Sequence, residues 1–343
     1  MTEILLASSN PDNGTGRLPE SAAESAPGIS DQTISRIRQA IALLCPDWIA
    51  SDVAIETYLS GGYSNQNYRL RYQQDRYVLR IASKPSQAAF QRELRRLEAL
   101  SQIFPDKSAM QPVHVPEVHV PEVVASYPPQ ALLLTRWSNA TLLSDVPNAH
   151  AESLGTYLAK LHLSLERLGP EHVGPNKLAE RIADDLLTAF NSPVWAAAQQ
   201  AQLPQVTHEL TPCHLDLNPW NLLRENNRWI TLDWETLAFA DPLFDLVSLC
   251  DGYLREHSET PCTLDQLKEF SCTALDAYER IPQIPNGTYS PLDLEQARIY
   301  YEWREYAWAA AQIAQGNTRP EVALQQAVFG TRLTERGFDI VPG

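Results

Sequence analysis

Apolar positions recur along this chain with two different periods, and the switch between them divides it. From Asp31 to about Leu44, residues Ile34, Ile37, Ile41 and Leu44 fall at helical spacing and predict a helix with one buried face. From Ala54 the pattern shortens: Ala54-Ile55-Glu56-Thr57-Tyr58-Leu59, Tyr68-Arg69-Leu70-Arg71-Tyr72 and Tyr77-Val78-Leu79-Arg80-Ile81 are short runs parted by turn residues. They predict an antiparallel sheet. Gln87 to Leu100 returns to the helical period, with Phe90, Leu94, Leu97 and Leu100 on one side. Residues 114–118 repeat at 119–123 as His-Val-Pro-Glu-Val. The prolines predict an extended connector there, and without a Cys or Asp to complete a donor set its His and Glu residues do not make a metal site. Ala131 to Thr135 reads as a buried strand. Beyond it the periodicity is helical at 149–168, 176–191, 242–257, 263–280 and 292–315, broken by one hairpin between Asn221 and Trp234. A β-rich front and a helical back predict an α+β chain of two lobes with a cleft between them. The expected divisions are a disordered leader at 1–30, an N-lobe at 31–136 and a C-lobe at 137–343.

Composition narrows the partners. The 42 acidic and 27 basic residues give a formal charge of −15, which repels nucleic acid and anionic lipid and is compatible with a cationic small molecule. Hydrophobic residues at 44% and charged residues at 20% mark a folded globular chain. Five cysteines without a CxxC pair predict reduced thiols in the cytoplasm. Met1 to Asn10 carries Glu3 where a secretory signal has basic residues, and no stretch nears the ~20 apolar residues of a membrane helix, so a soluble protein is expected.

The chemistry concentrates in Cys213-His214-Leu215-Asp216-Leu217-Asn218-Pro219-Trp220-Asn221-Leu222-Leu223, a hairpin turning at Glu225-Asn226-Asn227-Arg228, and Asp233-Trp234-Glu235. Phosphoryl transfer asks a protein for a carboxylate to accept the attacking hydroxyl's proton and for oxygen ligands to hold Mg²⁺ on the phosphates. His-x-Asp-x-x-x-x-Asn offers Asp216 as base and Asn221 as metal ligand, and the hairpin returns Asp233 to the same place as a second ligand. Asp and Asn are also ordinary turn residues; the combination in order is what favours chemistry.

This segment resembles the aminoglycoside phosphotransferase and choline kinase superfamily, and its Asp-Trp-Glu form is most similar to the choline, ethanolamine and thiamine kinase branch. The resemblance covers roughly residues 50–315 and implies a bilobal protein-kinase-like fold and an ATP- and Mg²⁺-dependent kinase of a small-molecule hydroxyl. It implies that His214 supports the loop and that Asp245, in Asp241-Pro242-Leu243-Phe244-Asp245, braces it through hydrogen bonds. Ser60-Gly61-Gly62-Tyr63-Ser64-Asn65-Gln66-Asn67-Tyr68 resembles a phosphate-covering hairpin, with Gly61 and Gly62 permitting close approach and Ser64, Asn65 and Asn67 donating hydrogen bonds. Alone, that Gly-Gly is simply a turn. Arg80 stands where a protein kinase has lysine, which favours the choline-kinase-like branch, with Glu93 as its expected partner. Both are also compatible with two surface charges. The Leu134-Thr135-Arg136-Trp137 run falls at the join of the lobes, where backbone groups of Thr135 to Trp137 would meet adenine. His162 matches a habitual Leu-His and is read as structural.

For the acceptor, Tyr301, Glu305 and Trp308 share a helix face in Tyr300 to Trp308, and Trp220 and Glu235 lie in the site segment. Aromatic faces beside carboxylates suit a cationic amino-alcohol such as choline or ethanolamine. The same stripe also suits a plain core helix, and thiamine or an aminoglycoside remains an alternative acceptor. A catalytically silent nucleotide-binding module is the reading from another class; it predicts loss of Asp216, Asn221 or Asp233, and all are present.

Overall fold

The computed structural model describes residues 29–59, 65–82, 87–104, 117–204, 209–258, 262–284 and 288–341. Residues 1–28 of the expected leader, and Gly61, Gly62 and Ser64 of the expected phosphate hairpin, lie outside the described residues.

The front of the chain runs α1 (Asp31–Leu44), β1 (Ala54–Leu59), β2 (Asn65–Tyr72), β3 (Asp75–Ala82), α2 (Gln87–Ile103), β4 (Glu117–His119), β5 (Val123–Tyr127) and β6 (Leu132–Arg136). A five-stranded sheet orders β1-β2-β3-β6-β5, every pair antiparallel. Alternation along β6 splits its side chains. Leu132 and Leu134 join Ile37 and Ile41 of α1 in one cluster, whereas Leu133 joins Phe90, Leu94 and Leu97 of α2 in the other. The sheet is therefore covered by a helix on each face, and α2 faces the rest of the molecule.

The back continues through β7 (Thr141–Leu142), α3 (Ala151–Leu165), α4 (Leu178–Phe190), α5 (Pro193–Gln202), β8 (Thr211–Cys213), β9 (Leu222–Glu225), β10 (Arg228–Thr231), β11 (Ala238–Ala240), α6 (Pro242–His257), α7 (Leu264–Glu279), α8 (Pro291–Ala314) and α9 (Pro320–Glu335). Tyr157, Leu158 and Leu161 of α3, Leu243 and Leu246 of α6, and Trp303 of α8 share the core. Gly155 lets α3 cross α7 closely: a Cβ there would stand 1.9 Å from the Ala274 carbonyl oxygen. The arrangement is the expected α+β, kinase-like one, a sheet-rich front and a helical back.

Several elements differ from the sequence expectation. The connector around residue 117 does run extended, but Glu117–His119 pairs in parallel with β10, and Val123–Tyr127 forms an edge strand of the main sheet. The helices α5 and α9 were not expected either. Among the described residues no helix is long and apolar enough to cross a membrane, and the five cysteines are unbridged.

Candidate active site

The site is assembled where two loops face each other. The first leaves β8 at His214. Its backbone takes a left-handed turn at Leu215, φ 64°, a conformation that costs a branched residue about 1–2 kcal/mol. Asp245, fully buried on α6, catches this turn: its two carboxylate oxygens accept the N–H groups of His214 at 2.7 Å and Leu215 at 2.8 Å. His162 Nε2 lies 3.2 Å from the same carboxylate. Burial pushes the Asp245 carboxyl up, but the hydrogen bond and charge of His162 and the N–H of His214 outweigh it and hold it below its usual value. With Cys213, these residues form a fully buried His-Cys-Asp group, yet the carboxylate is already spent on the loop, so they act as a brace.

Past Leu215 the loop closes on itself. Asn218 accepts from the N–H of Trp220 at 3.0 Å and of Asn221 at 3.1 Å, shaping a 3₁₀ turn. Asn221 Nδ2 donates to the Asp216 carbonyl at 2.9 Å and to Asp216 Oδ2 at 3.1 Å. Its amide nitrogen is thus committed, which leaves the amide oxygen as the atom able to ligate a cation.

The β9–β10 hairpin, with Asn226 at φ 55° in its turn, delivers the second loop. The Leu232 N–H donates to the Asn221 carbonyl at 2.8 Å, and His214 Nε2 donates to the Leu232 carbonyl at 2.8 Å. His214 Nδ1 accepts the Asp216 N–H at 3.2 Å, so the ring is the neutral Nε2–H tautomer, and burial draws its pKa down. Asp233 follows in a left-handed conformation, φ 58°. Its Oδ1 is buried with no hydrogen-bond partner among the described residues. Burial first, then the carboxylates of Glu235, Asp216 and Glu93, push its carboxyl up to about 7 against the pull of Arg80. An orphaned buried carboxylate oxygen, beside a second carboxylate and an amide oxygen, is a donor set that fits a hard divalent cation.

Helix α2 supplies the opposite wall. Arg80 of β3 and Glu93 of α2 form a bidentate pair, 2.7 Å on one arm. Burial draws Arg80 down, but Glu93, Asp233 and Glu235 outweigh it and leave it raised, so the pair sits within the field of the second loop. One turn along α2, Arg96 donates to the carbonyls of His172 (2.9 Å), Trp234 (3.1 Å), Glu235 (2.6 Å) and Leu237 (2.8 Å). It clamps the chain directly after Asp233. Sequence reading missed it, although a charge at position 96, among the buried Leu94, Leu97 and Leu100, was the available signal.

Other expected site residues fall variously. Asn67 stands opposite Arg80 in the β2–β3 register and Asn65 opposite Ala82. At the join, the N–H groups of Arg136 and Trp137 already donate to Glu122 and Arg76 carbonyls, at 2.9 and 3.0 Å, and Thr135 pairs within the sheet. The amide hydrogens of Arg136 and Trp137 are therefore spent within the front sheet. Trp220 is exposed beside Asn221 and Glu235 is exposed beside Trp234. Partial desolvation and Glu93 hold Glu235 above the usual carboxylate range. Tyr301 does not join an open aromatic wall. It is buried against Phe244 and Phe329, its hydroxyl accepting from Arg255 at 2.7 Å. Glu305 is held by Arg304 and by Gln325, each at 2.6 Å, while Trp308 is half-buried. The α8 residue that reaches Asp216 is Arg304, at 2.5 Å.

Residues 56–281 match the sequence model of a phosphotransferase enzyme family. Protein LicA of Haemophilus influenzae is 30% identical over 107 residues, which span 31% of this chain and 36% of that relative. The matched part thus covers about a third of the length of the curated relatives. Among solved structures, choline kinase LicA from Streptococcus pneumoniae superposes with a TM-score of 0.64 at 17% identity, covering 89% of this chain and 100% of that one. An amicoumacin kinase in complex with AMP-PNP, Ca²⁺ and Ami gives 0.60 at 15% identity, with 91% and 96% covered. At these identities the likeness establishes the fold.

Proposed function

Because the chain belongs to this phosphotransferase enzyme family, we propose that it moves the γ-phosphoryl group of ATP, with Mg²⁺, onto the hydroxyl of a small molecule. The observation that carries the reading is the meeting of Asp216, Asn221 and Asp233 with one buried carboxylate oxygen left over. Asn221 Oδ1 and the Asp233 carboxylate would hold the cation, and Arg80, steadied by Glu93, would pair with phosphate oxygens. When bound, Mg²⁺ supplies neutralisation of the charge on the transferring phosphates. Asp216 accepts the hydrogen of the acceptor hydroxyl and aims its oxygen at phosphorus. The adenine nucleotide analogue and divalent cation held by the amicoumacin kinase support the choice of ATP and metal.

For the acceptor, a cationic amino-alcohol of the choline or ethanolamine kind is the leading class. Its support is the acidity around Asp216, where Glu235 and Asp233 lie within mutual electrostatic reach, together with the exposed Trp220. Thiamine and aminoglycosides share the chemistry. The test is ADP release from ATP with choline, ethanolamine, thiamine or an aminoglycoside as single acceptors, each with Mg²⁺ and with chelator, beside Asp216→Asn. Turnover with one acceptor, lost in the variant and in chelator, is expected. Silence across the panel with ATP still bound would instead favour the nucleotide-binding module.

A further inference from the structure

The helix α8 contact on Asp216 comes from far outside the loop that builds the site. Arg304 places one guanidinium nitrogen 2.5 Å from Asp216 Oδ1 and another 2.6 Å from Glu305 Oε1. Glu305 Oε2 in turn accepts from Gln325 Nε2 of α9 at 2.6 Å. Burial draws the Arg304 pKa down, but the Glu305 and Asp216 carboxylates outweigh it and leave the guanidinium firmly charged. Asp185 of α4 also stands within its field. Residues 304, 305 and 325 all lie beyond the segment 56–281 that matches the family model.

We propose that Arg304 is a positioning residue for Asp216, locked in place by Glu305 and Gln325. The inference rests on the reading of Asp216 as the group that receives the acceptor hydroxyl. A carboxylate held only by Asn221 at Oδ2 can still turn about its Cβ–Cγ bond. Holding Oδ1 as well, by a charged donor, fixes the plane of the group. Each carboxylate oxygen offers two lone-pair sites, so either held oxygen keeps one for the acceptor hydroxyl, now in a set direction. Orientation of this kind is a large part of what phosphoryl transfer needs from a protein. The guanidinium is itself fixed from behind, and this separates a built support from a stray surface pair. Glu305 is accordingly committed to the support and is removed from the acceptor wall.

The experiment compares full-length wild type, Arg304→Ala, Arg304→Lys and Gln325→Ala, with Mg²⁺-ATP and choline, ethanolamine, thiamine and an aminoglycoside as probes. Arg304→Ala is expected to lower kcat by about 10–100-fold while KM for ATP stays within about twofold. Low-millimolar guanidinium should restore part of the kcat of the alanine variant, Arg304→Lys should retain part of it, and Gln325→Ala should lose less. An unchanged or raised kcat in Arg304→Ala overturns the proposal, a rise marking Arg304 as a latch that the acceptor displaces. A change confined to the acceptor KM also overturns it, since that marks direct acceptor contact. If wild type turns over none of the probes, the functional reading fails separately. Urea unfolding of Arg304→Ala, Asp216→Asn and the double variant then decides the pairing: additive midpoint shifts overturn it, and non-additive shifts uphold the support of Asp216.

Discussion

Replacing Arg96 by methionine keeps most of the side chain's length and removes its charge and donors. The guanidinium donates to carbonyls at residues 172, 234, 235 and 237. Of these, the Leu237 oxygen keeps a second partner in the Gly174 N–H at 3.1 Å, so the stranded acceptors are those of His172, Trp234 and Glu235. A hydrogen bond from a charged donor contributes roughly 1.5–3 kcal/mol, and returning the buried guanidinium to water in the unfolded chain offsets part of the sum. The net loss of stability should be about 2–4 kcal/mol, read as a urea midpoint shift at unchanged slope. The functional consequence is sharper than the stability one. Asp233 lies immediately before the clamped carbonyls in a left-handed conformation that its own side chain does not stabilise. With the clamp gone, and with Asp233 in the metal-holding role proposed for it, the Mg²⁺ concentration for half-maximal ADP release should rise about 10-fold or more, the usual scale for losing support behind a metal ligand. Destabilisation with an unchanged Mg²⁺ requirement would refute the link from α2 to Asp233 and leave Arg96 a packing residue.

Asp245→Asn should lose stability near neutral pH and flatten its fall in acid. The depressed Asp245 pKa means that its contribution is complete above the unfolded value of ~3.9 and vanishes as pH drops through the lower folded value; urea midpoints between about pH 7 and pH 3 that run parallel to wild type would contradict this. Gly155→Ala places a methyl 1.9 Å from the Ala274 carbonyl oxygen, so α3 and α7 must part at a cost of about 1–3 kcal/mol or more; an unchanged melting temperature would show that the crossing yields freely.

Legibility in the sequence followed the range of the interactions. Helix α6 was readable to its ends because Asp241 caps it and Pro242 opens it. The hairpin of residues 222–231 was readable because its turn and strands are contiguous. Helix α5, with Ala196 its buried apolar position among alanines and glutamines, offers too thin an apolar stripe to detect. The edge strand Val123–Tyr127 was hidden by the proline-rich stretch around it, since pairing to β6 is a property of the partner strand. In the site, Asp216, Asn221 and Asp233 are joined by local turns, and their spacing carries the geometry. Arg304 and Arg96 reach their partners across 88 and 138 residues, and no local pattern encodes such a contact. Helical spacing placed Tyr301, Glu305 and Trp308 on one side of α8, but it could not say that Tyr301 turns into the core or that Gln325 fixes Glu305.

Two left-handed non-glycine residues, Leu215 and Asp233, stand at the two loops of the site. Each is restrained by one buried charge from a different helix, and the signs are opposite for a reason. The turn at Leu215 exposes N–H groups, which only an acceptor can satisfy, and Asp245 of α6 provides a carboxylate. The turn at Asp233 is followed by free carbonyls, which only a donor can satisfy, and Arg96 of α2 provides a guanidinium. Had a neutral group served at either place, fewer bonds would oppose a strain of about 1–3 kcal/mol per residue. The consequence reaches across the molecule. Helix α2 carries both Glu93, which holds Arg80, and Arg96, which holds the chain after Asp233. A shift of α2 therefore displaces Arg80 and the chain after Asp233 together, so the front sheet and the two loops of the site are coupled through one helix.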